Sequence, residues 1–472
     1  MPAPITLTPE QLAKQAERKA AKLAKKAAQA ASGETNAQQQ AELERRRILK
    51  RDWQSVGSST HANKATIVTW NMLAQTLIRR QLFPGSDALK WGDRKPMLEA
   101  ELERFRSVDV ICLQECDKLQ ELSAAVPDHE AIEARGVGKA HGCVVLYKRS
   151  RFDAAAQLVI SLDDEDLSPE AASESARRGI SRQTKNIALA VALGEKEDPG
   201  KGVIVVTTHL FWHPRFQYER ARQTIVLLRA VRRLQKEKGL EGWPVVLAGG
   251  ESQRTDRPPS NADPSPSDLN SQPAETAYQF LAAPQLPLDP VIAKTLEESR
   301  IVHTSAAKAL SSASEPPSES ASGTATPAAG KDDDEEAAAK DENSIANTRA
   351  PEADDGIRSL DDLLAMLREV LPEPARSAYE TSTWTGEKYG ARLPEGITTT
   401  AGRNEPMYTC YSPLFKLTLD YLFVLPPLSG SSWAEVTQLL GTPKAEELGN
   451  GVPMKGIIAA DHLPVGCEVA WA

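Results

Sequence analysis

Two periodicities alternate along the chain from Ala65 onward. The β-branched run Thr66-Ile67-Val68-Thr69 is followed by a helical pattern from Lys95 to Arg106, then by a stretch from Val108 to Leu113 that reads as a buried strand. Further runs at Gly142 to Tyr147, Asn186 to Leu193, Val203 to Thr208 and Pro244 to Ala248 read as strands, with a long helix from about Gln217 to Lys236. Strands interleaved with helices predict an α/β fold whose sheets are covered by helices.

Other stretches break this pattern. Residues 304 to 355 lack apolar periodicity and are rich in Ser, Pro, Ala and acids, which predicts disorder. Order returns at Ser359, which caps a helix carrying Leu360, Leu363, Leu364, Leu367 and Leu371 before Pro372 stops it. At the other end, Thr8-Pro9-Glu10-Gln11 has the form of a capped helix start, and Gly33 would end that helix. Its Ala/Lys-rich sequence has too few large apolar residues to bury a face.

Charge changes the picture only when it is located. The net charge of -9 averages a basic N-terminus, with 11 Lys/Arg against 5 Asp/Glu in residues 1 to 51, and a dense acidic run from Lys331 to Glu342. The basic arm is suited to phosphate contacts, so an acidic total does not exclude a nucleic-acid partner. The five cysteines are odd in number and lie mostly in apolar runs, which predicts reduced, buried thiols and an intracellular setting, nucleus and/or cytoplasm. Cys112 and Cys116 flank Glu115, but no second Cys or His cluster has zinc-ligand spacing. The chain has no apolar run of about 18 residues and no signal-peptide pattern, so a soluble protein without a membrane partner is expected.

The candidate chemistry sits where the apolar runs stop. Glu115 follows Val110-Ile111-Cys112-Leu113, Asn71 ends the first run, and His209 ends Thr207-Thr208-His209. Asp268 and Asn270 lie in DLNSQP, Asp420 in LDYLF, and Asp461-His462 in ADHLP. Carboxylates, carboxamides and imidazoles in this mixture suit metal-assisted phosphodiester hydrolysis, which needs an oriented water, a cation on the nonbridging oxygens and help for the departing oxygen. Hard oxygen ligands suit Mg²⁺, with Mn²⁺ as a substitute. Taken singly, an Asn at a strand end is a turn former, a His in a β-run is a core residue, and a Glu after a strand is a surface residue. The combination carries the reading.

The ordered set WNML, LQE, THLFWHP, DLNSQP, YTCYSPLFKLTLDYLF and ADHLP resembles the endonuclease/exonuclease/phosphatase superfamily. Within it the chain is most similar to the carbon-catabolite-repressor-type deadenylases, nocturnin, Angel and the fungal Ngl RNA exonucleases. The resemblance runs from about Ala65 to the C-terminus. It implies a four-layered αββα sandwich and Mg²⁺-dependent removal of nucleotides from RNA 3′ ends, in a 3′-to-5′ direction. It further implies that Glu115 holds the metal while Asn71 and His209 bind phosphate or metal-bound water. Asp268 and Asn270 would position the nucleophile, Asp420 would complete the acidic cluster, and His462, oriented by Asp461, would stabilise the transition state. Asn186, in TKNIAL, is a further substrate-binding candidate, and Phe211 and Trp212 are candidates for base stacking. No leucine-rich docking module precedes the domain. The expected organisation is a basic helical or disordered tail over 1 to 62 and one catalytic domain over 63 to 472.

One departure from the pattern matters. Val245 to Gly249 should run straight into Asp-x-Asn, but Gly250 to Ser267 intervene before Asp268. Glu251-Ser252-Gln253 mimics the motif spacing with longer side chains. The family-like continuation from Gln272 favours Asp268 and Asn270. Residues 250 to 267 also form a candidate retained intron: codons for Gly250 to Ser252 can contain a splice donor, and excision would join VVLAG to DLNSQP. Three functions are compatible with these residues: an exoribonuclease, a nocturnin-like phosphatase on a phosphorylated dinucleotide, or an inactive RNA-binding protein if the insertion displaces Asp268.

Overall fold

The computed structural model describes residues 35–211, 213–251, 272–284, 288–307, 347–428 and 432–472, together with 10, 14 and 17–25. Two large sheets dominate. The first has the order β1 (Trp53–Ser55), β16 (Glu435–Leu440), β17 (Val465–Trp471), β2 (Asn63–Asn71), β3 (Val110–Cys116), β5 (Gly142–Lys148), β4 (His129–Arg135). The second runs β12 (Arg376–Ser377), β15 (Tyr421–Val424), β9 (Val245–Glu251), β8 (Gly202–Leu210), β7 (Ile187–Glu195), β6 (Phe152–Ser161). Two short ribbons pair β10 (Val302–His303) with β11 (Thr348–Arg349), and β13 (Cys410–Tyr411) with β14 (Lys416–Leu417).

Three apolar layers hold four structural layers together. Between the sheets, alternate residues of β2, β3, β5, β7, β8, β9 and β17 interdigitate, among them Ile67, Val110, Val145, Leu189, Val205, Val246 and Val465. The outer face of the first sheet packs against the helix Trp91–Arg104 through Met97, Leu98 and Leu102. That of the second packs against the helices Gln217–Lys238, Thr276–Ala282, Pro290–Glu298 and Leu360–Val370. This is the αββα sandwich, with central strands such as β3, β5 and β7 buried on both faces because both are covered.

The strand directions put one end of both sheets to use. Each sheet holds one parallel pair near its middle: β2 with β3, in register Asn71↔Gln114, and β8 with β9, in register His209↔Gly250. The pairs β17·β2 and β15·β9 are antiparallel. The entrances to β17 and β15 therefore lie beside the exits of β2 and β9. Asn71, Glu115, His209, Gly250, Asp420 and His462 are thereby gathered at one edge of the sandwich, the edge where α/β sheets place ligands.

Boundaries differ from the sequence expectation in three places. The sheet begins at β1, inside the stretch assigned to the tail: Trp53 to Ser55 pair with Gln438 to Leu440, and Arg51 forms a buried pair with Glu101 at 2.5 Å. The segment read as disordered has ordered edges, since Thr304 N–H donates to Asn347 O at 2.9 Å and closes that stretch at its base. β9 continues through Glu251, two residues into the insertion, because Gly250 and Glu251 keep the ladder with His209 and Leu210. The acidic run and the predicted helix start at Thr8 lie outside the described residues. Among the described residues no helix is long and apolar enough to cross a membrane.

Candidate active site

Glu115, the next-to-last residue of β3, has φ +52, a left-handed conformation that costs a non-glycine residue about 1–3 kcal/mol and that surrounding contacts must hold. The turn aims its carboxylate into the site. Asn71 Nδ2 donates to Glu115 Oε1 at 3.0 Å, Ala74 N–H donates to Oε2 at 3.2 Å, and His209 Nε2 lies 3.4 Å from Oε1. Asn71 Oδ1 accepts the Leu73 N–H at 3.0 Å, so one amide closes the turn after β2 and also steadies the carboxylate. His209 belongs to the other sheet, and its contact with Glu115 ties the two sheets together at this edge. Below it Gln114 Nε2 donates to Thr69 and Thr207 hydroxyls, both at 2.8 Å, repeating the tie in the buried layer.

A second bridge crosses beside the first. His462 Nδ1 lies 2.8 Å from Asp420 Oδ2, with both side chains buried. Burial opposes protonation of His462, but the Asp420 carboxylate and the Cys410 thiol overcome it and raise the imidazole well above its usual value. Asp461 is pushed up to about 6, by burial first and by the nearby Glu115 carboxylate, with His462 opposing. Two buried carboxylate oxygens here, Asp420 Oδ1 and Asp461 Oδ1, have no hydrogen-bond partner among the described residues.

Beneath the site Arg94, fully buried, donates to the Met72, Leu73 and Ala459 carbonyls at 2.7, 2.6 and 2.7 Å and to Gln75 Oε1 at 2.9 Å. It holds the turn after Asn71 to the turn before Asp461. Burial lowers its value to about 10, with Asp461 opposing, so it stays charged at neutral pH.

No family model matches the chain. "Probable RNA exonuclease C9B6.11c" of Schizosaccharomyces pombe is 35% identical over 264 residues, covering 52% of this chain and 48% of that protein. RNA exonuclease NGL2 of Saccharomyces cerevisiae is 28% identical over 444 residues, covering 85% of this chain and 77% of that protein. The chain is thus similar in sequence to two fungal RNA exonucleases. It spans about half the length of the S. pombe relative. Among solved structures, ANGEL2, a 2′,3′-cyclic phosphatase, aligns over 90% of this chain and 99% of its own at TM-score 0.49 and 17% identity.

Of the residues singled out from sequence, Asn71, Glu115, His209, Asp420, Asp461 and His462 meet at this edge of the sandwich. Asn186 stands just before β7, where Lys139 Nζ reaches its Oδ1 at 2.5 Å, and the same loop sets His141 edge-on to His209 at 6.4 Å. Asp268, Asn270 and Trp212 lie outside the described residues. The stacking role expected of Phe211 is corrected: its ring is 6% exposed, sits edge-on to Phe216 at 5.3 Å and lies under the Arg182 guanidinium. Its faces are taken up by packing.

Sequence reasoning missed Arg94. Its signal was a charge in the apolar stripe of a helix, since Arg94, Met97, Leu98, Glu101 and Leu102 recur at helical spacing and are all buried. Gln114, polar within an apolar run, carried a similar signal. Gly250 is a further surprise: a Cβ there would lie 2.2 Å from Asp420 Oδ1. Any side chain at this position obliges Asp420 to turn.

The donor set fits a hard divalent cation. Glu115 and Asp461 are buried carboxylates, the Glu115 charge adds to the raised proton affinity of Asp461, and a cation between such groups relieves that repulsion.

Proposed function

We propose that this chain is a divalent-metal-dependent 3′-to-5′ exoribonuclease, with Mg²⁺ as the working ion and Mn²⁺ as a substitute. The observation that carries the reading is the joining of Asn71–Glu115–His209 and Asp420–His462 across two sheets at one edge. The names of the two fungal relatives supply the substrate class, RNA.

Glu115, with Asp461 nearby, would hold the cation, which neutralises phosphate charge and lowers the proton affinity of a bound water. Asn71 and His209 orient Glu115 and offer donors to a phosphate oxygen. His462, kept protonated by Asp420, places positive charge where the phosphoryl oxygens gain negative charge in the transition state. Asp268 and Asn270 are assigned to orient the attacking water. Both lie outside the described residues and are assigned from the sequence motif.

The test is a 5′-labelled oligoadenylate and a phosphorylated dinucleotide, offered separately to the purified protein with Mg²⁺. Stepwise shortening of the oligoadenylate from its 3′ end supports the reading. Phosphate release from the dinucleotide alone would replace it with a phosphatase. His462→Ala should abolish shortening while leaving cation binding intact.

A further inference from the structure

A thiol stands against the imidazole that the proposed reaction uses. Cys410 opens β13, and its backbone bridges that of His462. Ligand atoms of Cys410, Asp461 and His462 all lie within 4.8 Å of one another, and all three side chains are buried. Nδ1 of His462 is committed to Asp420 at 2.8 Å, which leaves Nε2 as the ring atom for a ligand. Metal-binding imidazoles have this arrangement: the second ring N–H is donated to a carboxylate, which fixes the tautomer and raises ligand basicity. Asp461, 7% exposed, has an Oδ1 without a hydrogen-bond partner among the described residues. Thiolate, imidazole and carboxylate together favour Zn²⁺ over Mg²⁺, which prefers oxygen throughout. Ligand atoms around tetrahedral zinc stand roughly 3.5 Å apart, so these would need to close by about an ångström.

We propose that Cys410, Asp461 and His462 form an inhibitory site for a thiophilic divalent cation such as Zn²⁺. On filling, the Cys410 thiol and Nε2 of the protonated His462 each release a proton to solvent, the resulting neutral Nδ1-protonated imidazole coordinates through Nε2, and water completes the fourth position. His462 is then withdrawn from the reaction, whatever ion Glu115 holds. The proposal rests on reading His462 as the group that meets the phosphate, since the path that brings a phosphodiester there also admits an ion.

The full chain is titrated with Co²⁺ as the probe, with and without competing Zn²⁺, and Mg²⁺-supported RNA shortening is followed in parallel. One Co²⁺ per chain should give a thiolate-to-metal charge-transfer band that Zn²⁺ abolishes. Cys410→Ser and Cys410→Ala, each checked for native circular dichroism, should lose the band and need about tenfold more Zn²⁺ for half-inhibition. A missing band in the wild-type chain, a band that persists in a folded Cys410 variant, or equal Zn²⁺ sensitivity of all three proteins overturns the site. If no RNA is cleaved under any condition, the functional reading fails, and the Co²⁺ band still decides whether the three residues bind metal.

Discussion

Replacing Arg94 with methionine should test how the site edge is held. The guanidinium donates to four oxygens at 2.6 to 2.9 Å, three of them main-chain carbonyls from two separate turns. A hydrogen bond from a charged donor contributes about 1.5–3 kcal/mol net. Outright loss of all four is an upper limit, because methionine keeps the aliphatic packing and water can satisfy some of the carbonyls. Removal of one side of a buried charged interaction costs about 3–5 kcal/mol, and Arg94→Met should fall there. That is a large fraction of the 5–15 kcal/mol typical of a folded domain. Urea unfolding should show the midpoint falling at constant slope. Arg94→Lys can remake one or two of the bonds and should recover part of the loss. At low temperature, where the methionine variant remains folded, turnover should fall about a hundredfold, since ångström-scale displacement of reacting groups costs that much. A stability change below about 1 kcal/mol, or wild-type turnover in the folded variant, would refute the clamp.

Four further outcomes are expected. Glu115→Gln should lose Mg²⁺-dependent cleavage by far more than tenfold, the equivalent of about 1.4 kcal/mol, with an unchanged melting temperature; more than a tenth of wild-type rate removes Glu115 from the ligand role. Burial pushes Glu405 up to about 8 from 4.5, and it accepts the Tyr278 hydroxyl at 2.7 Å. The stability this group gives is therefore full below pH 4.5 and lost as pH rises through 8, so Glu405→Gln should match wild type at pH 4 and exceed it at pH 8 by up to roughly 5 kcal/mol in urea titrations. Removing residues 250 to 267 hands the Gly250 and Glu251 ladder positions to Asp268 and Leu269, and Asp420 must turn to admit the new side chain; with that turn made, cleavage should be at least as fast as in the full chain, where Asp268→Ala abolishes it and Glu251→Ala does not, and the opposite mutant pattern would reassign the acid. Replacing residues 308 to 346 by a short flexible linker should leave melting and turnover unchanged, because Thr304 and Asn347 already close the base, whereas a cooperative loss of folding would show that the stretch contributes to the core.

The sequence was most legible where one physical signal dominates. β3, β5, β7 and β8 fall on the apolar runs because burial on both faces leaves nothing else to read, and the Ser359 cap with its Asp362 capping box is a local rule that tertiary packing did not overturn. The site was legible as a set of strand ends. Its internal wiring was not, because the contacts join residues far apart: Asn71 with Glu115, Glu115 with His209, Asp420 with His462. Edge strands such as β1 are too short for periodicity, so Trp53 to Ser55 passed for tail. Phe211 misled because an aromatic after a strand looks the same whether it faces a ligand or Phe216.

The five thiols amount to a set of internal clocks. Cys112, Cys143 and Cys467 lie between the sheets, Cys116 under the helix Trp91–Arg104, and Cys410 beside His462. All are free and buried, and burial pushes Cys116, Cys143 and Cys467 up to about 12. Alkylating reagents attack the exposed thiolate, so each position reports only the moments when its own layer parts. Mass tagging of the native chain can therefore order the openings without adding a single probe, distinguishing a breath at the catalytic edge from separation of the two sheets.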